Sequence, residues 1–275
     1  WQRVDRNNQM AGGNQVSGYI LCQTKRAKLP YFIENISTNV YSIEELCYYL
    51  YHNLYLIDQT IMNEGLCSWI QEELELPALA AKLKQSLERN VSAEDVLYPV
   101  FKEINYLTYE ELKALNVKLA KMDQESPVLR EKRKGDALVE NKMYVNAIHV
   151  YQHLLKREGL DQVRAGLTQS VWHNLGCTYS YLFQMEKALE CFWEAFLTEG
   201  DENELICYLL AYKKAKKPQE YEKKLASLNV SEEVKQKVKE ALEYFEKEKE
   251  EPVKQENIDE MLEKLTGEYH RSTGV

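Results

Sequence analysis

The chain has 275 residues, with 11 Gly and 6 Pro, and carries 35 Lys+Arg against 44 Asp+Glu for a net charge of −9. Turn-forming Gly and Pro at about half of average usage exclude β-sandwiches and Gly-rich nucleotide folds, which need such residues at short intervals. The acidic balance also argues against a chain whose main task is to neutralise phosphates.

Residues 1–17, rich in Asn and Gly, read as a flexible leader, and they lack the apolar stretch of a secretory signal. Residues 18–124 read as a mostly helical region with short strands, and Tyr19–Cys22 and Asn39–Tyr41 are expected to pair as a small β ribbon. Ser42 followed by Glu45 is a capping box, which starts a helix carrying Ile43, Leu46, Cys47 and Leu50 on one face. Two further amphipathic runs follow, Leu66, Cys67, Ile70 and Leu74, then Leu79, Ala80, Leu83 and Leu87 behind Pro77. Ser92 with Asp95 is expected to cap a helix through Val96, Val100, Phe101 and Ile104, which Pro99 should kink or restart. Thr108 with Glu111 caps the next helix, and Gln124–Pro127 is the expected hinge to residues 125–228.

The eight acids Glu34, Glu44, Glu45, Asp58, Glu64, Glu72, Glu73 and Glu75 lie between Leu29 and Ala81, where there is no Lys or Arg. Six tyrosines (31, 41, 48, 49, 51 and 55) share this segment, so it is expected either to offer a basic partner an acidic surface or to bury its rings as core.

Internal repetition is the strongest signal. Trp172, Leu175, Gly176 and Tyr179 are followed by Ala188, Phe192 and Ala195. Upstream, Gly135, Leu138, Tyr144, Ala147, Tyr151 and Leu154 keep the same internal offsets, with the glycines 41 residues apart. Small residues at recurring positions let two antiparallel helices approach, while the rings fill the space around them. Residues 128–228 therefore resemble tetratricopeptide repeats, whose period is usually 34; the surplus falls in Lys156–Gly166, as a longer second helix or a longer connector. Gly200 stands where the family usually has Pro and is still expected to end a helix. Asn203–Ala215 and Pro218–Leu228 make a third pair without the signature residues, and residues 229–275 read as capping helices with a frayed tail. Ile20–Gln23 and Tyr41–Tyr51 are similar to uncharacterised proteins of anaerobic Gram-positive bacteria, a likeness that implies no activity. The expected fold is all-α, a helix-turn-helix repeat superhelix with a small N-terminal β ribbon.

Chemistry-bearing motifs are sparse. There is no P-loop, G-x-G-x-x-G, G-x-S-x-G, H-E-x-x-H or C-x-x-C. The six cysteines (22, 47, 67, 177, 191 and 207) sit in apolar runs and read as reduced thiols of a cytoplasmic protein. His149 and His153 are spaced to hold a metal but fall off the apolar stripe and have no third ligand, so they read as a solvated face. His173 and Cys177 permit an activated thiol, yet no third orienting group is specified, so a structural or ligand-contact role is expected. The Lys-rich stretch from Lys213 is offset by acids, 13 Lys against 14 Asp+Glu up to Lys264, and reads as a mixed-charge surface.

The resemblance implies a concave groove lined by the first helix of each repeat, suited to an extended peptide. The positions carried over are Lys132, Arg133, Asp136, Val139 and Glu140 from one repeat, and Ser170, His173, Asn174, Cys177 and Tyr181 from the next. Lys132 and Asn174 match two positions of the set with which some family members clamp a C-terminal carboxylate. Asp136 stands where that set has Asn, and its charge opposes a carboxylate, so the clamp is not expected.

The expected function is a non-enzymatic scaffold that binds a protein or peptide, with no cofactor, no metal, no nucleic acid and no membrane insertion. One alternative is a peptide-responsive transcription regulator, disfavoured because residues 29–81 offer no Lys or Arg for a recognition helix. Another is an enzyme whose N-terminal domain carries the chemistry, although His52 is the sole histidine of the first half.

Overall fold

The computed structural model describes residues 24–89, 93–247 and 262. The leader, the Tyr19–Cys22 strand, Ser92 of the expected cap and all but Leu262 of the last expected helix lie outside these residues. The described residues are all-α apart from one two-stranded ribbon, as the composition implied. Their contacts divide into residues 1–121 and 122–275.

In the N-terminal unit, β1 (Tyr31–Ile33) pairs antiparallel with β2 (Thr38–Val40), Tyr31 opposite Val40 and Ile33 opposite Thr38. The second strand is the expected one within a residue; its partner is Tyr31–Ile33, a run too short to show alternation. Helix α1 (Ile43–His52) starts where Ser42 Oγ accepts from the Glu45 amide at 3.2 Å, while the Glu45 carboxylate accepts from the Tyr41 amide. Helix α2 (Glu64–Glu72) is capped by Asn63, and α3 (Pro77–Glu88) opens on its proline.

Helix α4 (Ala93–Glu103) runs through Pro99 as one element. The ring removes one hydrogen bond, but Val96, Leu97, Val100 and Phe101 are all buried, and that burial outweighs a single lost rung. Helix α5 (Tyr109–Gln124) has the full Thr108/Glu111 capping box, at 2.8 and 3.3 Å. Ile33, Ile43, Leu46, Leu50, Leu66, Ile70, Leu79, Leu83 and Leu97 make the core. Cys47 donates its thiol to the Val100 carbonyl at 3.7 Å, and burial pushes that thiol's pKa up.

The acids of residues 29–81 are largely used inside this unit. Glu44 is buried and accepts from Thr24, Glu73 accepts from the Lys28 and Leu29 amides, and Glu75 pairs with Lys25. Of the six tyrosines only Tyr49 is buried and Tyr48 exposed; the other four are half-buried.

The C-terminal unit is a run of helical hairpins: α6 (Pro127–Glu140) with α7 (Tyr144–Leu155), α9 (Leu167–Tyr181) with α10 (Met185–Glu199), and α11 (Glu202–Ala215) with α12 (Pro218–Ser227). The short α8 (Leu160–Val163) sits in the expected surplus, so that stretch is a connector, anchored by buried Leu160. Helix α13 (Glu232–Lys247) packs Val234 and Val238 inward and contacts α11. Gly200 takes φ +73° and ends α10, its amide returning to Phe196 at 2.7 Å.

The first two hairpins repeat in detail. A Cβ on Gly135 would lie 2.5 Å from the Tyr151 ring, and one on Gly176 would lie 2.8 Å from the Phe192 ring. Each glycine therefore marks a place where a ring of the following helix lies against bare backbone. Ala147 and Ala188 are both fully buried at equivalent positions. Both inter-helix turns place a non-glycine residue in the left-handed region, Lys142 (φ +62°) and Phe183 (φ +56°), and close with the same pair of amide-to-carbonyl bonds. Asn105 and Asn229 end α4 and α12 in the same way. A Gly-poor chain thus makes these four turns with Asn, Lys and Phe.

Candidate functional site

The groove residues expected from α6 and α9 are mostly bound to one another. Asp136 is the hub between these helices: Oδ1 accepts from Tyr151 Oη and Asn174 Nδ2, both at 2.8 Å, and Oδ2 accepts from Lys132 Nζ at 2.9 Å. Lys132 and Asp136 are largely buried, so removing one partner would strand the other's charge and cost more than at a surface pair. Burial, then the Asp136 charge, pushes the Tyr151 phenol up, and it remains a donor. Both Lys132 and Asn174 are therefore turned toward Asp136, and its carboxylate already has three donors.

A second polar seam joins α9 to α11. His173 Nδ1 lies 2.9 Å from Oε2 of Glu204, and His173 Nε2 lies 3.5 Å from the Cys177 sulfur. The carboxylate is buried and its other oxygen accepts from Gln169 Nε2 at 3.4 Å. The hydrogen bond with Cys177, then that with Glu204, pushes His173 up to about 10, against the smaller opposing effect of burial. Cys207 on α11 completes the cluster, with His173, Glu204 and Cys207 offering donor atoms within 4.8 Å of one another. Burial, then Glu204, pushes the Cys207 thiol up to about 12.

The sequence specifies no third group to orient His173, but the fold supplies one. Glu204 supplies that group from 31 residues away, on a helix without signature residues. A thiol, an imidazole and a carboxylate stand in order, yet Cys177 lies inside α9, where backbone amides are spent on the helix itself and cannot serve an oxyanion.

The remaining candidates are placed as follows. Arg133 Nε lies 4.0 Å from Glu125; Glu140 is exposed, and Val139 and Ser170 are half-buried. Tyr181 is 59% exposed and stacks on Tyr144, centroids 5.1 Å apart. His149 and His153 are both exposed, and His153 pairs with Glu131 at 2.7 Å, which also holds Arg157 at 2.8 Å.

Part of the Lys-rich stretch is engaged locally. Lys216 pairs with Glu186 at 3.1 Å, Lys237 with Glu202 and Glu233, and Lys224 lies over the Trp193 ring at 5.1 Å. Among the described residues no helix is long and apolar enough to cross a membrane. No protein-family model, no curated protein and no solved structure matches the chain.

Proposed function

We propose that the protein is a non-enzymatic scaffold of the tetratricopeptide type, which binds a protein or peptide along α6 and α9 and acts in the cytoplasm. The observation that carries this reading is the pre-set wall these helices offer. Tyr181 presents a solvent-facing ring and hydroxyl, stacked on Tyr144, at one end of a line of side chains locked by Asp136. Rigid aromatics with polar tips give contact area at low entropic cost, which favours them in recognition surfaces. Lys132 and Asn174 frame the wall, and the groups left to touch a ligand are Tyr181, Ser170 and Glu140.

The test follows from that division. Affinity capture from the native cell compares wild type with a Tyr181→Ala/Glu140→Ala variant, which leaves the Asp136 hub intact. A Glu190→Ala variant, at an exposed position of α10, is the control. The scaffold reading expects partners lost by the first variant and kept by the second. Partners kept equally by both would place binding elsewhere and defeat the groove assignment.

A further inference from the structure

We propose that His173, Glu204 and Cys207 form a site for a thiophilic divalent cation of the zinc class, with three protein ligands and the fourth position open. The donors come from two helices, His173 from α9 and the other two from α11, one helical turn apart. Side chains at i and i+3 share a helix face, so Glu204 and Cys207 meet His173 together. Around tetrahedral zinc, bonds of 2.0–2.3 Å place ligand atoms about 3.3–3.6 Å apart. The His173–Glu204 separation is 2.9 Å and no donor atom of the three lies more than 4.8 Å from another, so small rotamer adjustments bring them to that spacing.

The mixed donor set selects the ion. Calcium and magnesium take oxygen ligands, whereas imidazole, thiolate and one carboxylate together suit zinc or cobalt. The outer partners that orient ligands are also present. Gln169 reaches the second oxygen of Glu204, and Cys177 lies against the ring nitrogen of His173 that faces away from the carboxylate. The seam between α6 and α9, joined by Tyr151 of α7, is built of carboxylate, amide, ammonium and phenol alone. Mechanical coupling therefore does not call for the imidazole and thiol of the second seam. On binding, the cation displaces the Cys207 thiol proton and any proton on His173 Nδ1 to water, and Cys177 stays outside the coordination sphere.

The experiment uses the full chain, stripped with chelator, kept reduced with a phosphine and titrated with Co²⁺. The expected result is tetrahedral visible bands with a sulfur-to-cobalt charge-transfer band, saturating at one equivalent and displaced by Zn²⁺. Cys207→Ser should abolish the charge-transfer band, and His173→Gln should weaken binding at least ~100-fold. Cys177→Ala should keep the band and weaken binding about tenfold, as loss of an orienting partner does. Zn²⁺ should raise the melting temperature of wild type but not of Cys207→Ser, whose fold is checked separately by circular dichroism. An octahedral spectrum, or a charge-transfer band that survives Cys207→Ser, overturns the proposal. A Cys207→Ser chain that fails to fold is replaced by Glu204→Gln, for which unchanged Co²⁺ affinity would be equally fatal.

Discussion

The seams on either side of α9 do one mechanical task with different chemistry. Toward α6, Asp136 gathers an ammonium, an amide and a phenol, and its charge is matched by Lys132. Toward α11, Glu204 faces an imidazole and an amide, with two thiols beside them. Lysine cannot easily give up its proton at neutral pH, whereas histidine can, so removing the carboxylate has different consequences in the two places. The first seam is a closed network; the second can exchange a proton, and on our proposal a metal ion.

The largest expected effect tests that asymmetry. Asp136→Ala leaves Lys132, Asn174 and Tyr151 without their shared acceptor and should cost about 3 kcal/mol in urea unfolding. Glu204→Ala should cost less, about 1–2 kcal/mol, because His173 can deprotonate and re-solvate. Equal losses would show that the two carboxylates play the same part. Replacing Lys132 and Asp136 together by Met and Leu should recover much of the loss, as paired apolar substitution of a buried ion pair does.

A smaller difference is expected one layer deeper. Both Gly135→Ala and Gly176→Ala drive a Cβ into a ring, at 2.5 Å from Tyr151 and 2.8 Å from Phe192. Overpacking costs about 1–3 kcal/mol, offset by about 1 kcal/mol of helix propensity. Tyr151 is held by its hydroxyl to Asp136, while Phe192 has no such tether, so Gly135→Ala should be the more damaging by about 1 kcal/mol. Adding Tyr151→Phe to Gly135→Ala should narrow the gap if the tether is its cause.

The same contrast explains what could be read from the sequence. Gly135 with Tyr151 and Gly176 with Phe192 are fixed offsets between neighbouring helices, so the hairpins show as spacing. Ser42 and Thr108 likewise announce helix starts, because a cap acts within four residues. The Asp136 hub and the Glu204 contact join helices 38 and 31 residues apart, through residues with no recurring partner pattern. Asp136 and His173 could be placed on a wall, but not what they would meet there. Pro99 left two outcomes open for a related reason: local backbone chemistry allows a kink or a restart, and burial on both sides of the ring keeps α4 one helix, which excludes the restart.

pH should separate the seams next. The folded-state pKa of His173 lies above its ordinary value, at about 10 against 6.5, through Cys177 first and Glu204 second. The charged ring therefore contributes stability that is complete below pH 6.5 and is lost as pH rises toward about 10. Its side chain is a third exposed, so the change is modest, and only the direction is predicted. Metal-free wild type should lose stability across that window more steeply than His173→Gln. Parallel curves would mean that the imidazole is not held charged in the fold.

The smallest effect concerns what the hairpins share. Lys142 and Phe183 occupy the same left-handed turn position, which costs a side-chain-bearing residue about 1 kcal/mol relative to glycine. Phe183 is 85% exposed and gives up almost no packing when removed. Part of the relief is returned as unfolded-chain entropy, so Lys142→Gly and Phe183→Gly should each raise stability by about 0.5 kcal/mol. Equal gains would show that the hairpins are interchangeable at their turns, and that the asymmetry of the unit resides in its polar seams. A gain at Lys142 alone would mean that the Phe183 ring is held by contacts worth as much as the strain, and the two hairpins would then differ at their turns as well.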